Sequence, residues 1–574
     1  MFYQIPSQLH DEIEELNAYI LRHQAGELDA ESLKVQRVPF GCYEQRDSGT
    51  YMLRIRCPGG ALTPAQLLAI STLSEQFGRN SIHITTRQEF QIHDLKLENV
   101  VPIMRELLKV NLATRGGGGN TVRNILVSGD AGISADEVFD PSPFAFALTS
   151  RLIAEPDSWT LPRKFKIAFS NSESDSSYAQ FNDVGFIATA KQGGLGFRVY
   201  VAGGMGRKPE VGHLLHDFIR CEDVYLVAEA VKRVFHTHGN RKDKNSARLR
   251  FLWDQLGENR FCQLYQQEIG RLSREKSDPL ELTQEKARDV TPPFRPMRIE
   301  GPEFDLWKAR FVSAQRQSGL CSILVPIFLG NLKNDHAITL ALILEAFGTN
   351  VVRATVGQNL RLRNIPEEYL GNVYVVAQHI SGLASRPLLL ANAIACAGAD
   401  TCKLGICLSQ GALRAIKDRL AESELDLDRI PDFKLNISGC PNTCGQPLLA
   451  DLGFYGKVGR KGEEILPAYG VVGGAILAAG TARLALNLGQ VSARDLPSFV
   501  EDVLAVWLQK QSRFRSFAAY LDAEGSQDIT AICSHYRTIA HASADGSHLW
   551  DWGASKPFSL DGRGSGECSA GPAA

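Results

Sequence analysis

Along residues 51–57, YMLRIRC reads as a strand, and the segment after it is a helix with its start signals in place. Thr63, Pro64 and Gln66 supply the N-cap, first-turn and capping-box positions. Leu67, Leu68, Ser71 and Leu73 then form a helical stripe that Gly78 ends. In SIHITTRQEFQIH (81–93), Ile82, Ile84 and Thr86 alternate with His83, Thr85 and Arg87, which predicts a second strand. The result is a strand–helix–strand unit, βαβ-like in order.

The unit occurs twice. Residues 45–88 match residues 315–358 at a constant offset of 270 with no gap, through pairs such as Arg46/Arg316, Gly60/Gly330, Phe77/Phe347, Thr85/Thr355 and Gln88/Gln358. Two such halves related by a pseudo-twofold axis create a cleft between them, a suitable place for a large cofactor. Longer mixed segments follow each copy, at about 145–275 and 370–510, and the charged, Pro-containing stretch 275–300 reads as a linker.

With 574 residues, the chain exceeds one hydrophobic core and calls for several folding units. Its net charge of −2 gives no reason to expect nucleic acid or an anionic membrane as partner, so any anion binding must be local. The N-terminal stretch lacks the pattern of a signal peptide and no apolar run reaches eighteen residues, so the sequence reads as that of a cytoplasmic protein. Twelve cysteines are too sparse for a disulfide scaffold of this length.

Four of those cysteines are clustered. Cys396 and Cys402 form C-x5-C in CAGADTCKLG, and Cys440 and Cys444 form C-x3-C in GCPNTCG. Zinc sites favour shorter spacers than the first pair has, whereas four thiolates suit an iron–sulfur cluster. Phe433, Leu435 and Ile437 alternate as a strand leading into the second pair, and Gly398, Gly439 and Gly445 allow close backbone approach. The other eight, Cys407 among them, read as scattered thiols.

The C-x5-C pair followed by GCPNTCG, together with the duplication, resembles the siroheme-dependent sulfite and nitrite reductase family over residues 37–510. That resemblance implies an α+β fold: duplicated ferredoxin-like half-domains with two larger mixed α/β domains that bind siroheme and cluster, related by a pseudo-twofold. The expected divisions are 1–144, 145–299, 300–369, 370–524 and a tail from 525 to 574. It also implies that Cys396, Cys402, Cys440 and Cys444 hold a [4Fe–4S] cluster, with the Cys444 sulfur shared with siroheme iron.

Three further segments resemble the family: ITTRQEF with Arg87, GNTVRNI with Arg123, and LPRKFK with Lys164 and Lys166. By resemblance these four cations surround the open face of siroheme and hold a small oxyanion, with a lysine able to give up protons once its neighbouring cations have lowered its pKa. The run Gly116, Gly117, Gly118, Gly119 offers backbone N–H groups to siroheme carboxylates. Lys166 is the residue at which plant-type nitrite reductases carry Asn, and FRVYVAGGMGRKP is similar to the sulfite branch, although CAGADTCKLG departs from the Pro-rich variants common there. Six-electron reduction of sulfite is therefore the expected activity, nitrite reduction the alternative, and a non-catalytic electron-transfer protein the reading from another class. No G-x-G-x-x-G follows a strand, so a separate donor is implied, a ferredoxin or a flavoprotein. The Gly/Ser-rich end around Cys568 reads as a mobile arm, either a disordered or surface-packed extension or one whose Cys568 reaches the active site or a partner.

Overall fold

The computed structural model describes residues 2–275, 278–283, 292–381, 386–542 and 546–564; Cys568 lies outside them. Four five-stranded sheets organise the described residues, two small and two larger.

The small sheets belong to the duplicated segments. The first runs Cys42–Glu44, Tyr51–Ile55, Phe90–Leu95, Ser81–Ile84 and then Asn331–Lys333. The second runs Val312–Ala314, Leu320–Val325, Leu360–Pro366, Val352–Ala354 and then Ala61–Leu62. The last strand of each sheet comes from the other copy: His83 pairs with Asn331, and Leu62 with Val352. Each copy thus lends the short strand ahead of its helix to the partner sheet, which covers an edge that would otherwise be open. The helices Pro64–Phe77 and Asn334–Leu344 pack on one another, and one apolar core, with Leu67, Ile82, Phe90, Leu340, Val352 and Leu362 fully or almost fully buried, spans both halves.

The helix Pro64–Phe77 carries the predicted capping box: the Gln66 N–H donates to Thr63 Oγ1 and the Thr63 N–H to Gln66 Oε1. SIHITTRQEFQIH, expected as one strand, is a hairpin. Ser81–Ile84 turns through Thr85–Glu89 and returns as Phe90–Leu95. Thr85 closes the turn, its Oγ1 accepting from the Arg87 and Glu89 N–H groups, and Gln88 sits at φ 58°. Alternation on both sides of a tight turn imitates one long strand, so the period alone hid the reversal. The same turn recurs at Thr355–Asn359 with Gln358 at φ 59°, and the left-handed backbone at Asp94 (φ 63°) recurs at Asn364 (φ 60°).

The larger sheets follow one plan, with two parallel pairings and then antiparallel strands. The first is Leu126–Val127, Ile167–Ser170, Val184–Lys191, Gly194–Val201 and His213–Arg220; the second is Ile394–Ala395, Leu435–Ser438, Leu452–Lys461, Glu464–Gly473 and Leu486–Ser492. Helices Ser142–Ile153 and Val224–His238 share the core of the first, and Ser409–Glu422 and Leu496–Lys510 that of the second. Because Leu126–Val127 and Ser142–Ile153 belong to the first larger domain, that domain begins ahead of residue 145, the division expected from the sequence.

The segment 546–564 packs on the second larger domain. Asp551 Oδ2 accepts the Leu408 N–H at 2.7 Å beside the start of Ser409–Glu422, the Trp552 indole donates to Ala493 O at 2.8 Å, and the Gly564 N–H donates to Lys403 O at 3.0 Å. No helix among the described residues is long and apolar enough to cross a membrane.

Candidate active site

The strands Ile394–Ala395 and Leu435–Ser438 run side by side and parallel, and each opens at its C-terminal end into a cysteine loop. This places Cys396 next to the loop that carries Cys440 and Cys444. The Gly439 N–H donates to Cys396 Sγ at 3.2 Å, and the Ile406 and Cys407 N–H groups both donate to Gly439 O at 2.9 Å, tying the two loops together. A Cβ on Gly445 would lie 2.0 Å from Ile437 O, so only glycine allows that approach. Burial pushes the Cys440 thiol up to about 12, and the neighbouring thiols of Cys444, Cys396 and Cys402 add to it. The Cys440 thiol is thus within electrostatic reach of the other three. Cys407, read as a scattered thiol, is fully buried behind the loops with its Sγ 3.4 Å from Ala468 O.

The basic residues reach this loop through a short chain of contacts. Thr86 Oγ1 donates to Cys444 O at 2.9 Å, which seats the Thr85–Glu89 turn, and with it Arg87, on the second cysteine loop. Arg87 donates through one terminal nitrogen to Asn182 Oδ1 at 3.0 Å and through the other to Ile167 O at 3.1 Å. The Arg123 N–H donates to Phe165 O at 2.9 Å, between Lys164 and Lys166. The Gly206 N–H, in the GGMGR loop, donates to Thr443 Oγ1 at 2.9 Å. Four segments distant in sequence thus converge on one side of the second cysteine pair.

Buried cations dominate the electrostatics of this face. Burial holds the Lys166 ammonium well below the usual lysine range, and the nearby charges of Arg87, Lys164 and Arg248 lower it further. Burial comes first and like-charge repulsion second, which refines the expectation that neighbouring cations alone do it. The Nε atoms of Arg87, Arg123 and Arg248 are buried without a hydrogen-bond partner among the described residues. Orphaned cationic donors at one site fit an anionic occupant.

Two residues in this network carry no sequence signal. Asp183, fully buried, accepts the Lys166 N–H at 2.8 Å and Arg248 at 2.8 Å through the same oxygen. Asn182 orients Arg87. Isolated polar residues in FNDVGF have no spacing that marks them.

The glycine run corrects one expectation. Gly116 and Gly117 already spend their N–H groups on Pro39 O and Thr114 O, so the run Gly116–Gly119 is not an open row of donors. A Cβ on Gly118 would lie 2.0 Å from Val38 O, so its lack of side chain answers to packing on the segment 38–41. Gly117 O instead accepts from Arg123 at 2.8 Å and Arg54 at 2.9 Å, fixing the Arg123 guanidinium.

Comparison with known proteins agrees with this geometry. A model described as the nitrite and sulphite reductase 4Fe-4S domain matches residues 118–272 and 389–525. A second, the nitrite/sulfite reductase ferredoxin-like half domain, matches 43–110 and 313–375. The chain belongs to the nitrite and sulfite reductase family. Members of this family use siroheme and a [4Fe–4S] cluster, and the converging thiols and orphaned cations fit those two groups.

Relatives in the family fall on both sides of the substrate division. The chain is 30% identical over 481 residues to a ferredoxin–nitrite reductase of Synechococcus elongatus, covering 81% of this chain and 88% of that protein. It is 32% identical over 429 residues to a sulfite reductase [ferredoxin] 2 of Mycolicibacterium paratuberculosis, covering 73% and 72%. The structure resembles that of the Mycobacterium tuberculosis NirA protein, with a TM-score of 0.74 at 25% identity over 90% of this chain and 97% of that one.

Proposed function

We propose that the chain reduces sulfite to sulfide, taking single electrons from a separate ferredoxin or flavoprotein. Cys396, Cys402, Cys440 and Cys444 would hold the cluster, and Cys444 would also face siroheme iron. Arg87, Arg123, Lys164 and Lys166 would hold the oxyanion. The observation that carries this reading is the hydrogen bond from Thr86 to the backbone of Cys444, which joins the basic turn to the cysteine loop.

The conversion consumes six electrons and six protons, giving sulfide and three waters from the sulfite dianion. When bound, the cofactor pair would supply the electrons and a Lewis-acidic metal. The protein supplies the rest. The planar guanidiniums of Arg87 and Arg123, each fixed by contacts on its terminal nitrogens, grip anion oxygens with little reorganisation. Lys166, with its proton affinity already lowered, is suited to pass a proton to an oxygen as its bond to sulfur breaks.

Lys166 carries the preference for sulfite over nitrite. A dianion loses about twice the attraction that a monoanion loses when one positive charge is removed. After screening by Arg87, Arg123 and Lys164, Lys166→Asn is expected to lower kcat/KM for sulfite about ten- to a hundredfold more than for nitrite, or about 1.4–2.8 kcal/mol. Steady-state reduction of both anions by reduced methyl viologen at pH 8 measures it. An equal loss for the two anions would remove the case for sulfite.

A further inference from the structure

The two larger domains repeat one another at an offset of 268. Leu126 pairs with Ala168 and Ile167 with Val184 in the first, as Ile394 pairs with Asn436 and Leu435 with Leu452 in the second. The Lys166 N–H donates to Asp183 Oδ2 at 2.8 Å, and the Lys434 N–H to Asp451 Oδ2 at 2.9 Å. Left-handed backbone at Asp175 and Tyr178 (φ 52° and 59°) recurs at Thr443 and Gln446 (φ 55° and 58°). The half-domains respect the same register: the Arg46 N–H donates to Thr401 O at 2.9 Å and the Arg316 N–H to Ile133 O at 3.0 Å.

In this register Cys396, Cys402, Cys440 and Cys444 fall, without a gap, on Ser128, Ser134, Ser172 and Ser176. The hydrogen bond that marks the cysteine site is kept on the other side. The Gly439 N–H donates to Cys396 Sγ at 3.2 Å, and the Asn171 N–H to Ser128 Oγ at 3.2 Å.

We infer that the first larger domain holds a second cradle for a [4Fe–4S] cluster, its backbone preserved and its four ligand positions occupied by serine. The inference rests on reading the four cysteines as cluster ligands. Neutral hydroxyls are hard, weak ligands for the iron of such a cluster compared with thiolates, so the cradle stays silent. Three of the four serines bond to one another or to neighbouring serines instead: Ser176 donates to Ser128 Oγ at 2.9 Å, the Ser128 and Ser170 hydroxyls lie 3.3 Å apart, and those of Ser172 and Ser174 2.9 Å apart.

The cradle takes a cluster alone, with no porphyrin-like group or oxyanion beside it. The counterparts of Arg87, Arg123 and Lys164 are Gly357, Ala391 and Asp432, and only Lys434 answers to Lys166. The matching face is filled by Tyr178, Phe181 and Leu449 with Val356, Leu477 and Leu484 packed against them.

The test replaces all four serines, Ser128→Cys, Ser134→Cys, Ser172→Cys and Ser176→Cys, in the full chain and again in a Cys444→Ser background. Anaerobic reconstitution supplies ferrous and ferric iron in equal amounts with sulfide. Two of each iron, four sulfides and four thiolates then balance as a cluster of core charge 2+ without another redox partner. The expected result is about four more iron and four more sulfide per chain than the wild type, the stoichiometry of one such cluster. In the Cys444→Ser background, which loses the first cluster, the gain persists. A soluble variant that keeps its siroheme absorption but only wild-type iron overturns the inference. If Cys444→Ser alone keeps wild-type iron and sulfide, the ligand assignment fails instead, and the register argument falls with it. Should the fourfold variant not accumulate, Ser128→Cys with Ser176→Cys is titrated with Cd2+. A thiolate-to-cadmium charge-transfer band saturating at one ion per chain supports the convergence of ligand positions, and its absence overturns it.

Discussion

At the scale of single residues, the proposed chemistry turns on how Lys166 is surrounded. Its amine is buried and faces Arg87, Lys164 and Arg248, so it releases its proton at a lower pH than an ordinary lysine. Anion capture needs the charged form. As pH rises through that lowered pKa, kcat/KM is expected to fall, well before a free lysine would titrate. Lys166→Arg keeps its charge throughout, because a guanidinium does not deprotonate in this range. The variant is therefore expected to lose the alkaline fall in kcat/KM while its kcat drops about a hundredfold for want of a proton donor. A pH–rate series between 6 and 10 checks both, and an alkaline limb that stays where the wild type has it would rule Lys166 out as its source. The sequence made Arg87, Arg123, Lys164 and Lys166 legible only through family likeness, since none has a diagnostic spacing of its own. Asp183 and Arg248 stayed hidden because their role exists only after the chain has brought positions 166, 183 and 248 together.

Among elements, the paired turns show why helices were easier to read than strands. The capping box at Thr63 and Gln66 is a local signal and formed as expected. The hairpin at Thr85–Glu89 was missed because its reversal depends on Gln88 taking left-handed backbone, which a glutamine does not advertise. Both copies tolerate that conformation because the glutamine side chain bridges the halves. Gln88 Nε2 donates to Val127 O at 2.9 Å and Ala354 O at 3.1 Å; Gln358 Nε2 donates to Ile84 O at 3.1 Å while its Oε1 accepts the Ala395 N–H at 3.2 Å. Ala395 immediately precedes Cys396. Gln358→Ala leaves two buried backbone groups without this partner at about 1–3 kcal/mol each, so a loss of about 2–6 kcal/mol is expected. A urea midpoint measures it, and reduced iron content at unchanged siroheme would show the strain reaching the cysteine loop first. A midpoint within error of the wild type would refute the bridge.

For the molecule as a whole, the two copies are held together around a buried histidine. His83 Nδ1 and Asn331 Oδ1 lie 2.8 Å apart across the exchanged strands, and His83 Nε2 meets Gln358 Nε2 at 3.4 Å. Burial lowers the His83 pKa to about 4, and His93, its ring edge-on at 5.9 Å, is lowered too. Between pH 6.5 and 4 the unfolded chain binds a proton here that the folded chain does not. Stability therefore falls with acid across that window, by about 1.4 kcal/mol per pH unit for His83 alone. His83→Gln is expected to flatten the slope of unfolding free energy against pH by one proton; an unchanged slope would place the acid sensitivity elsewhere. The duplication behind this arrangement was visible in the sequence at offset 270, whereas the strand exchange was not, because two- and three-residue strands leave no period to detect.

That exchange sets a timetable for synthesis. The edge Ser81–Ile84 has its partner only in Asn331–Lys333, nearly 250 residues further along the chain. At about 5–20 residues per second, a nascent chain leaves that edge uncovered for roughly 12–50 s. An open strand edge is a site for pairing with other chains. The second cysteine loop is further delayed, since Cys444 leaves the ribosome after the turn that bonds to it has already been waiting. The first half therefore matures as an unfinished surface, and a holdase that shields apolar strands during that interval would decide how much of the chain survives to receive its cofactors.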